Sequence, residues 1–354
     1  MLSVSALAAA FLHGCTSEPQ SVGTLSSGGS GLQESSDVSG VDEGESDAGT
    51  TSDGPRLDAS PGDDTAESTG AGEGCTYVDM LFVIDNSASM GGYQAALGMA
   101  FPQFAGTLAS VLPPGTNVHV GVTSSEMGYS SGGTTQVSNG SCTFTGDGGM
   151  NHDAFYVTPD QTNTGRNGAQ GRLFDPGDGK TFYEFETDAD LSGVQSWFAS
   201  AAAIGTGGSN IEMSAAPVAW VDDPSNAATN AGFIRDQGAV LVVFFMQDEP
   251  DQSPWTIDGQ PGGNFVLQRI TAAKAGCGGA ECIIAGGFLE EQACSANGNL
   301  PLDDLLAGLG GVENIQALPD DGDPAAAAAQ MNLLLSDTLA EVIATKCDQI
   351  PPAD

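Results

Sequence analysis

Apolar positions along the chain fall into two alternating patterns after residue 74. Met80 to Ile84 is a short apolar run with β-branched and aromatic side chains, the length of a buried strand. It stops abruptly at Asp85, Ser87 and Ser89. Phe101, Phe104, Leu108, Val111 and Leu112 then recur at helical spacing until Pro113-Pro114-Gly115, and Pro102 inside this stretch predicts a kink or a late helix start. Val118 to Thr123 alternates as a second strand, with His119 in a structural place. Leu191, Val194 and Phe198 predict a helix ending near Gly205, and Ile211 to Trp220 another, extending toward Phe233. Ala239 to Met246 is almost wholly apolar, as a central parallel strand buried on both faces must be. Val266, Leu267 and Ile270 mark a helix, Cys282 to Leu289 a strand, Leu302 to Leu309 a short helix and Val312 to Leu318 an edge strand. Asp323 as N-cap and Pro324 at the first helical position open a last helix carrying Met331, Leu334, Leu335, Leu339, Val342 and Ile343 on one face. Strands alternating with helices predict an α/β fold, a doubly wound, mostly parallel sheet covered on both sides.

Two regions break the pattern. Residues 16 to 74 are Ser, Gly, Thr, Asp and Glu with one basic residue, Arg56, and too little apolar surface to offset ordering entropy, so they read as a disordered acidic linker. Residues 124 to 190 are rich in Gly, Asn, Asp, Ser and Thr, with strand-like pieces at Ala154 to Thr158 and Thr181 to Glu186. Ordinary connections are much shorter, so 124 to 190 reads as an insertion, either a specificity element or a disulfide-pinned decoration. The expected globular domain is 75 to 347, followed by a tail at 348 to 354.

The formal net charge of −38 rests on eight Lys and Arg without a cluster, which argues against nucleic acid or an anionic membrane surface as partner. Leu2 to Leu12 is too short to span a bilayer and reads as a signal-peptide core within residues 1 to 15. With Leu12, Gly14 and Cys15 it resembles the lipobox of bacterial lipoproteins, which implies lipidation at Cys15 and tethering to the outer membrane or cell surface. The other six cysteines, Cys75, Cys142, Cys277, Cys282, Cys294 and Cys347, form an even set suited to disulfides in an exported chain. Cys75 and Cys347 bracket the domain, and Cys277 and Cys282 are spaced for a local loop. No zinc-ligand spacing is present.

Three loops carry one chemistry. Asp85, Ser87 and Ser89 follow the first strand, Gly207-Gly208-Ser209-Asn210-Ile211 opens the next helix, and Asp248 follows the long buried strand. Carboxylate and hydroxyl oxygens of this kind suit hard divalent cations. Here the chain resembles a von Willebrand factor type A domain over roughly residues 76 to 347, with the Asp-x-Ser-x-Ser motif of its metal-ion-dependent adhesion site. The resemblance implies a Rossmann-like α/β sheet, with Ser87 and Ser89 coordinating Mg²⁺ (or Mn²⁺ or Ca²⁺) through hydroxyls. Ser209 stands where the family has Thr, with Thr206 as a rival, and Asp85 and Asp248 bind directly or through water. It also implies adhesion-type binding of a protein ligand that supplies a carboxylate, with the membrane engaged only through the lipid anchor. Glu249 and Asp251, where the family often has Gly after the Asp, add carboxylates that favour Ca²⁺ or repel an acidic partner. With no Gly-x-Ser-x-Gly elbow and no recognisable triad, no catalytic role is expected. Two other readings stay open: a degenerate type A fold serving as a structural envelope lipoprotein without metal, and a metal-dependent hydrolase.

Overall fold

The computed structural model describes residues 75–127, 167–208, 212–289, 301–320 and 322–350, with 135–139 and 142–146 as backbone. The strands are β1 (Tyr77–Ile84), β2 (Asn117–Ser124), β3 (Thr135–Asn139), β4 (Cys142–Gly146), β5 (Phe182–Glu186), β6 (Ala239–Gln247), β7 (Thr256–Ile257), β8 (Gln260–Pro261), β9 (Ile283–Leu289) and β10 (Ile315–Ala317). The helices are α1 (Gly91–Val111), α2 (Ser192–Ala202), α3 (Ala216–Trp220), α4 (Ala227–Asn230), α5 (Gly262–Ala273), α6 (Pro301–Gly308), α7 (Pro324–Leu334) and α8 (Ala340–Cys347). Six strands form one sheet in the order β10-β9-β6-β1-β2-β5, parallel throughout except for β5. The α/β architecture with a mostly parallel sheet is therefore as the alternating pattern predicts.

Side-chain alternation in the central strands builds two cores. Val78, Met80, Phe82 and Ile84 of β1 and Val240, Val242, Phe244 and Met246 of β6 face one side, packed with α1, α2, α7 and α8. Leu81, Val83, Leu241, Val243 and Phe245 face the other, with α3, α5 and α6. Every residue of β6 is buried, the burial that its unbroken apolar run requires. Both edges are blunted: β10 has three residues, and β5 exposes Glu184 and Glu186.

Among the described residues two disulfides are formed. Cys75, just before β1, bonds Cys347 at the end of α8, across a sequence separation of 272, and Cys277 bonds Cys282. Both pairs agree with the bracketing and local spacing of these cysteines. Cys15, Cys294 and the side chain of Cys142 lie outside the described residues, as do Ala154 to Thr158.

Several local expectations are corrected. Phe182–Glu186 pairs antiparallel with β2 from Asn117↔Glu186 to Gly121↔Phe182, so this part of 124 to 190 belongs to the central sheet rather than to an insertion. The helix expected from Ile211 is only Ala216–Trp220. The reason is local: the backbone before it is engaged elsewhere. Gln252 N donates to Glu212 O (2.6 Å), Met213 N to Ser125 O (3.2 Å) and Ala215 N to Asp251 Oδ1 (3.3 Å). Past Trp220, Asp223 caps a separate turn by accepting from Ser225 N (2.9 Å), so no helix runs on to Phe233. Helix α1 starts at Gly91, so Pro102 sits inside it and does not delay its start. Val111 is exposed at its end, and Leu112 takes the buried place. Of Val312 to Leu318 only Ile315–Ala317 is strand, because Val312–Asn314 forms a 3₁₀ turn. Asp323 does cap the last helix, accepting from Ala325 N (3.0 Å) and Ala326 N (3.4 Å), and a π-helical turn at Leu335–Leu339 separates α7 from α8.

Candidate functional site

The strand order reverses between β1 and β6: the chain builds outward through β2 on one side and through β9 on the other. In open parallel sheets the crevice beyond such carboxyl ends is where ligands bind. Asp85 and Asp248 stand at the ends of these two neighbouring strands. Asp85 N donates to Met246 O (2.9 Å), which fixes the two ends in register.

The β1 loop folds around its own carboxylate. Ser87 N donates to Asp85 Oδ1 (2.7 Å), an Asx-type turn, and Ser87 Oγ lies 3.1 Å from Ser89 Oγ. That spacing suits a hydrogen bond. It is also close to the ~3.0 Å edge between neighbouring oxygens of an octahedron with Mg²⁺–O bonds of about 2.1 Å. Ser89 is exposed, so this edge faces outward.

Neighbouring loops are stitched to this turn. The Gln94 side chain, on α1, donates to Asp85 O (3.0 Å) and Gly205 O (2.8 Å) and accepts from Gly205 N (3.3 Å). Gly208 N donates to Asn86 O (2.9 Å), and a Cβ on Gly208 would stand 2.4 Å from Asn86 Oδ1. Only glycine therefore fits this approach without moving Asn86. These bonds carry the Gly-rich turn to the Asp85 loop. Ser209 itself lies outside the described residues, as does the start of the expected helix at Asn210 and Ile211. The rival Thr206 is exposed, and its methyl group would meet a Cβ placed on Gly91 at 3.6 Å.

Glu212 and Ser125 complete the floor, and neither stands out in the sequence. Ser125 Oγ donates to Glu212 Oε2 (2.5 Å) and lies 3.5 Å from Asp85 Oδ1. Ser125 Oγ thus stands between the Glu212 and Asp85 carboxyls, and Asp248 follows the neighbouring strand, so three acids lie at one end of the sheet. Among the described residues, none of the three forms an ion pair with Lys, Arg or His. Asp85 Oδ2, Asn86 Oδ1, Glu212 Oε1 and Asp248 Oδ1 are buried without a hydrogen-bond partner. Burial pushes the pKa of Glu212 upward, and the neighbouring Asp85 charge adds to this. Asp85 is also pushed upward, first by burial and further by Asp248, against the Glu212 and Ser87 hydrogen bonds. Like charges out of water demand a proton or a cation.

The sequence-predicted set is thus brought together for Asp85, Ser87, Ser89 and Asp248. Asp251 is not part of it: its carboxylate is enclosed by Ser253 Oγ (2.7 Å), Ser253 N and Ala215 N (3.3 Å each) and Leu302 N (3.0 Å). Among the described residues no group of three or more His, Cys, Asp and Glu stands ready around one point as a metal centre. The candidate set is instead two carboxylates with two hydroxyls. Its orphaned oxygens and octahedral edge fit a hard cation. His119 has its expected structural place, with Nδ1 2.9 Å from Phe233 O.

No protein-family model and no curated protein matches the chain. Among solved structures it is similar to a von Willebrand factor type A protein from Catenulispora acidiphila, with 11% identity over 73% of this chain and 43% of that one and a TM-score of 0.34. It is also similar to proximal thread matrix protein 1 from the mussel byssus, with 9% identity over 74% of this chain and 49% of that one and a TM-score of 0.32. The match spans less than half the length of either structure. The fold class accordingly rests on this chain's own strand order: a mostly parallel α/β sheet whose reversal point joins Asp85 to Asp248.

Proposed function

We propose that this chain is a surface-tethered lipoprotein whose domain binds a protein partner through a divalent cation. One observation supports it above the others. Two carboxylates and a hydroxyl pair converge where β1 and β6 end, and buried oxygens of both carboxylates lack any protein partner. Asp85 and Asp248 would supply the negative charge, Ser87 and Ser89 neutral oxygens, and Ser209 a further hydroxyl as in the family it resembles. A bound Mg²⁺, Mn²⁺ or Ca²⁺ would supply positive charge and an open coordination position for a carboxylate oxygen of the partner. The chain itself holds these oxygens in place, through Gln94 to the Gly-rich turn and through the Asp85–Met246 backbone bond to β6. Lipidation at Cys15 would keep the domain at the outer membrane or cell surface, and no enzymatic step is assigned to it.

Capture of envelope proteins by the full chain tests this reading, run with Mg²⁺ and with chelator, for wild type, Asp85→Ala and Asp248→Ala. A partner held by wild type in Mg²⁺, and released by chelator and by either substitution, is the expected result. Capture indifferent to all three would leave the domain without a cation-dependent role.

A further inference from the structure

We infer that the amino end of the sheet, opposite the proposed cation site, carries a binding hollow for a guanidinium group, presented by an arginine side chain of a partner protein. The inference is independent of the cation reading, and no sequence motif points to it.

The hollow has a volume of about 560 Å³, and its walls include Tyr77, Asn117, His119, Phe182, Glu184 and Arg235. Strand register builds it. His119 of β2 stands directly across from Glu184 of β5, and Asn117 across from Glu186. Side chains two apart share a face of a sheet, and directly opposite ones lie about 5 Å apart. One face of this edge thus holds an imidazole and two exposed carboxylates. The Phe182 ring stands beside them, its centroid 4.9 Å from that of His119.

The imidazole adds a buried acceptor. His119 is 6% exposed, and its Nδ1 lies 2.9 Å from Phe233 O. A carbonyl only accepts, so Nδ1 carries the proton and Nε2 is left with its lone pair. Burial holds the imidazole pKa below its ordinary value, so the ring is neutral at pH 7. Among the described residues Nε2 has no hydrogen-bond partner. With Nδ1 turned to the buried Phe233 carbonyl, Nε2 is the nitrogen left for the hollow that His119 lines.

Charge and shape select the ligand. Arg235 is already engaged and offers little to an anion: Nε and the backbone N bond Asp79, Nη1 bonds Asn117 Oδ1 (2.5 Å), and Nη2 bonds Val78 O (3.0 Å) and Asn117 O (3.2 Å). Asn117 Nδ2 in turn holds Glu184 Oε1 at 2.8 Å, which positions that carboxylate. What the hollow presents is therefore a set of acceptors: Nε2 and two carboxylates. A planar guanidinium donates to a carboxylate and an imidazole at once and lays its face on an aromatic ring. Arg235 shows the same pairing inside the protein, bonded to Asp79 with its guanidinium 4.4 Å from the Tyr77 ring centroid. An ammonium has neither the fork nor the face. With only eight Lys and Arg in this chain, the arginine belongs to another protein rather than to a second copy.

The test is titration of the full chain at neutral pH with a blocked Ala-Arg-Ala peptide, followed by calorimetry and by the His119 ring signals in NMR spectra. Blocked Ala-Lys-Ala and free arginine are run in parallel. The arginine peptide should bind several-fold tighter than the lysine peptide and should move the His119 signals. Tighter binding of the peptide than of free arginine supports a protein source, and the reverse order overturns that source. Glu184→Gln removes one exposed charge while keeping an acceptor for Asn117, and should weaken peptide binding roughly three- to fivefold. Glu313→Gln, near the opposite edge of the sheet, should leave binding unchanged. Equal binding of the two peptides, equal loss in the two variants, or His119 signals that stay in place would each overturn the inference, because the peptide would then read only the net charge of −38.

Discussion

Asp79 and Asp85 lie near opposite ends of β1, and both are completely buried, yet their surroundings are opposite. Asp79 is closed off by the protein's own cations. Arg235 donates from Nε to Oδ1 (2.8 Å) and from its backbone N to Oδ2 (2.7 Å), its Nη2 lies 2.6 Å from Oδ1, and Lys274 Nζ stands 4.0 Å from Oδ2. Two of only eight Lys and Arg in the chain are committed to this one carboxylate. Asp85 instead faces Glu212 and Asp248, and its Oδ2 is orphaned. A chain so poor in basic residues places two where a buried acid is architectural and, among the described residues, forms no ion pair with the acids at the sheet's carboxyl end. The contrast separates an internally neutralised carboxylate from one suited to a charge supplied from outside.

Breaking the closed end should have the largest effect. Arg235→Ala leaves Asp79 buried with Lys274 and the His119 ring beside it and should cost about 3–5 kcal/mol, the usual result of removing one partner of a buried pair. Denaturant unfolding measures this, and added Mg²⁺ or Ca²⁺ should not restore it. The mirror experiment is Asp85→Asn. In chelator its stability should equal or exceed that of wild type, because a repelled charge is removed while Ser87 N keeps an acceptor. At a cation concentration about a hundredfold above Kd, wild type should gain roughly 2.7 kcal/mol and the variant nothing.

Asp251 sharpens the comparison as an intermediate case: fully buried, held by four donors from Ala215, Ser253 and Leu302, but without a cation. Burial pushes its pKa up to about 6 despite those donors. The folded state therefore binds this proton more tightly than the unfolded chain does. The contribution to stability is complete below about pH 4, the ordinary Asp value, and disappears as pH rises through about 6. Asp251→Asn should flatten the fall in cation-free stability between roughly pH 4 and 6.5 by on the order of 2 kcal/mol, measured by melting across pH. A variant as pH-dependent as wild type would remove Asp251 from the account. The smallest effect should come from Gln94→Ala. Its bonds to Asp85 O and Gly205 should be worth about 1 kcal/mol in chelator, with a several-fold weaker cation affinity as the Gly-rich turn loosens.

The parts of this molecule legible in the sequence are those written by periodicity and local chemistry. The unbroken run of β6, the turn chemistry of Asp85-Asn86-Ser87 and the Asp323-Pro324 helix start each act within a few residues, and each has its expected form. Less legible were features set by partners remote in sequence. Arg235 meets Asp79 across 156 positions, and Glu212 meets Ser125 across 87. The strand-like piece at Thr181 to Glu186 has its expected form, but its place beside β2 at the sheet edge depends on a partner remote in sequence. The apparent helix from Ile211 failed for a related reason: apolar spacing favours a helix, but the backbone at Glu212, Met213 and Ala215 is held by neighbouring loops.

The central claim is that the carboxyl end of β1 and β6 takes its missing positive charge from a divalent cation. Calorimetric titration of the full chain with Mg²⁺, Mn²⁺ and Ca²⁺ addresses this most directly, with wild type, Asp85→Ala and Asp248→Ala compared under one buffer. One binding event in wild type, lost in both variants while each remains folded by circular dichroism, is the predicted result. No binding at millimolar cation, or equal binding in Asp85→Ala and wild type, would contradict it.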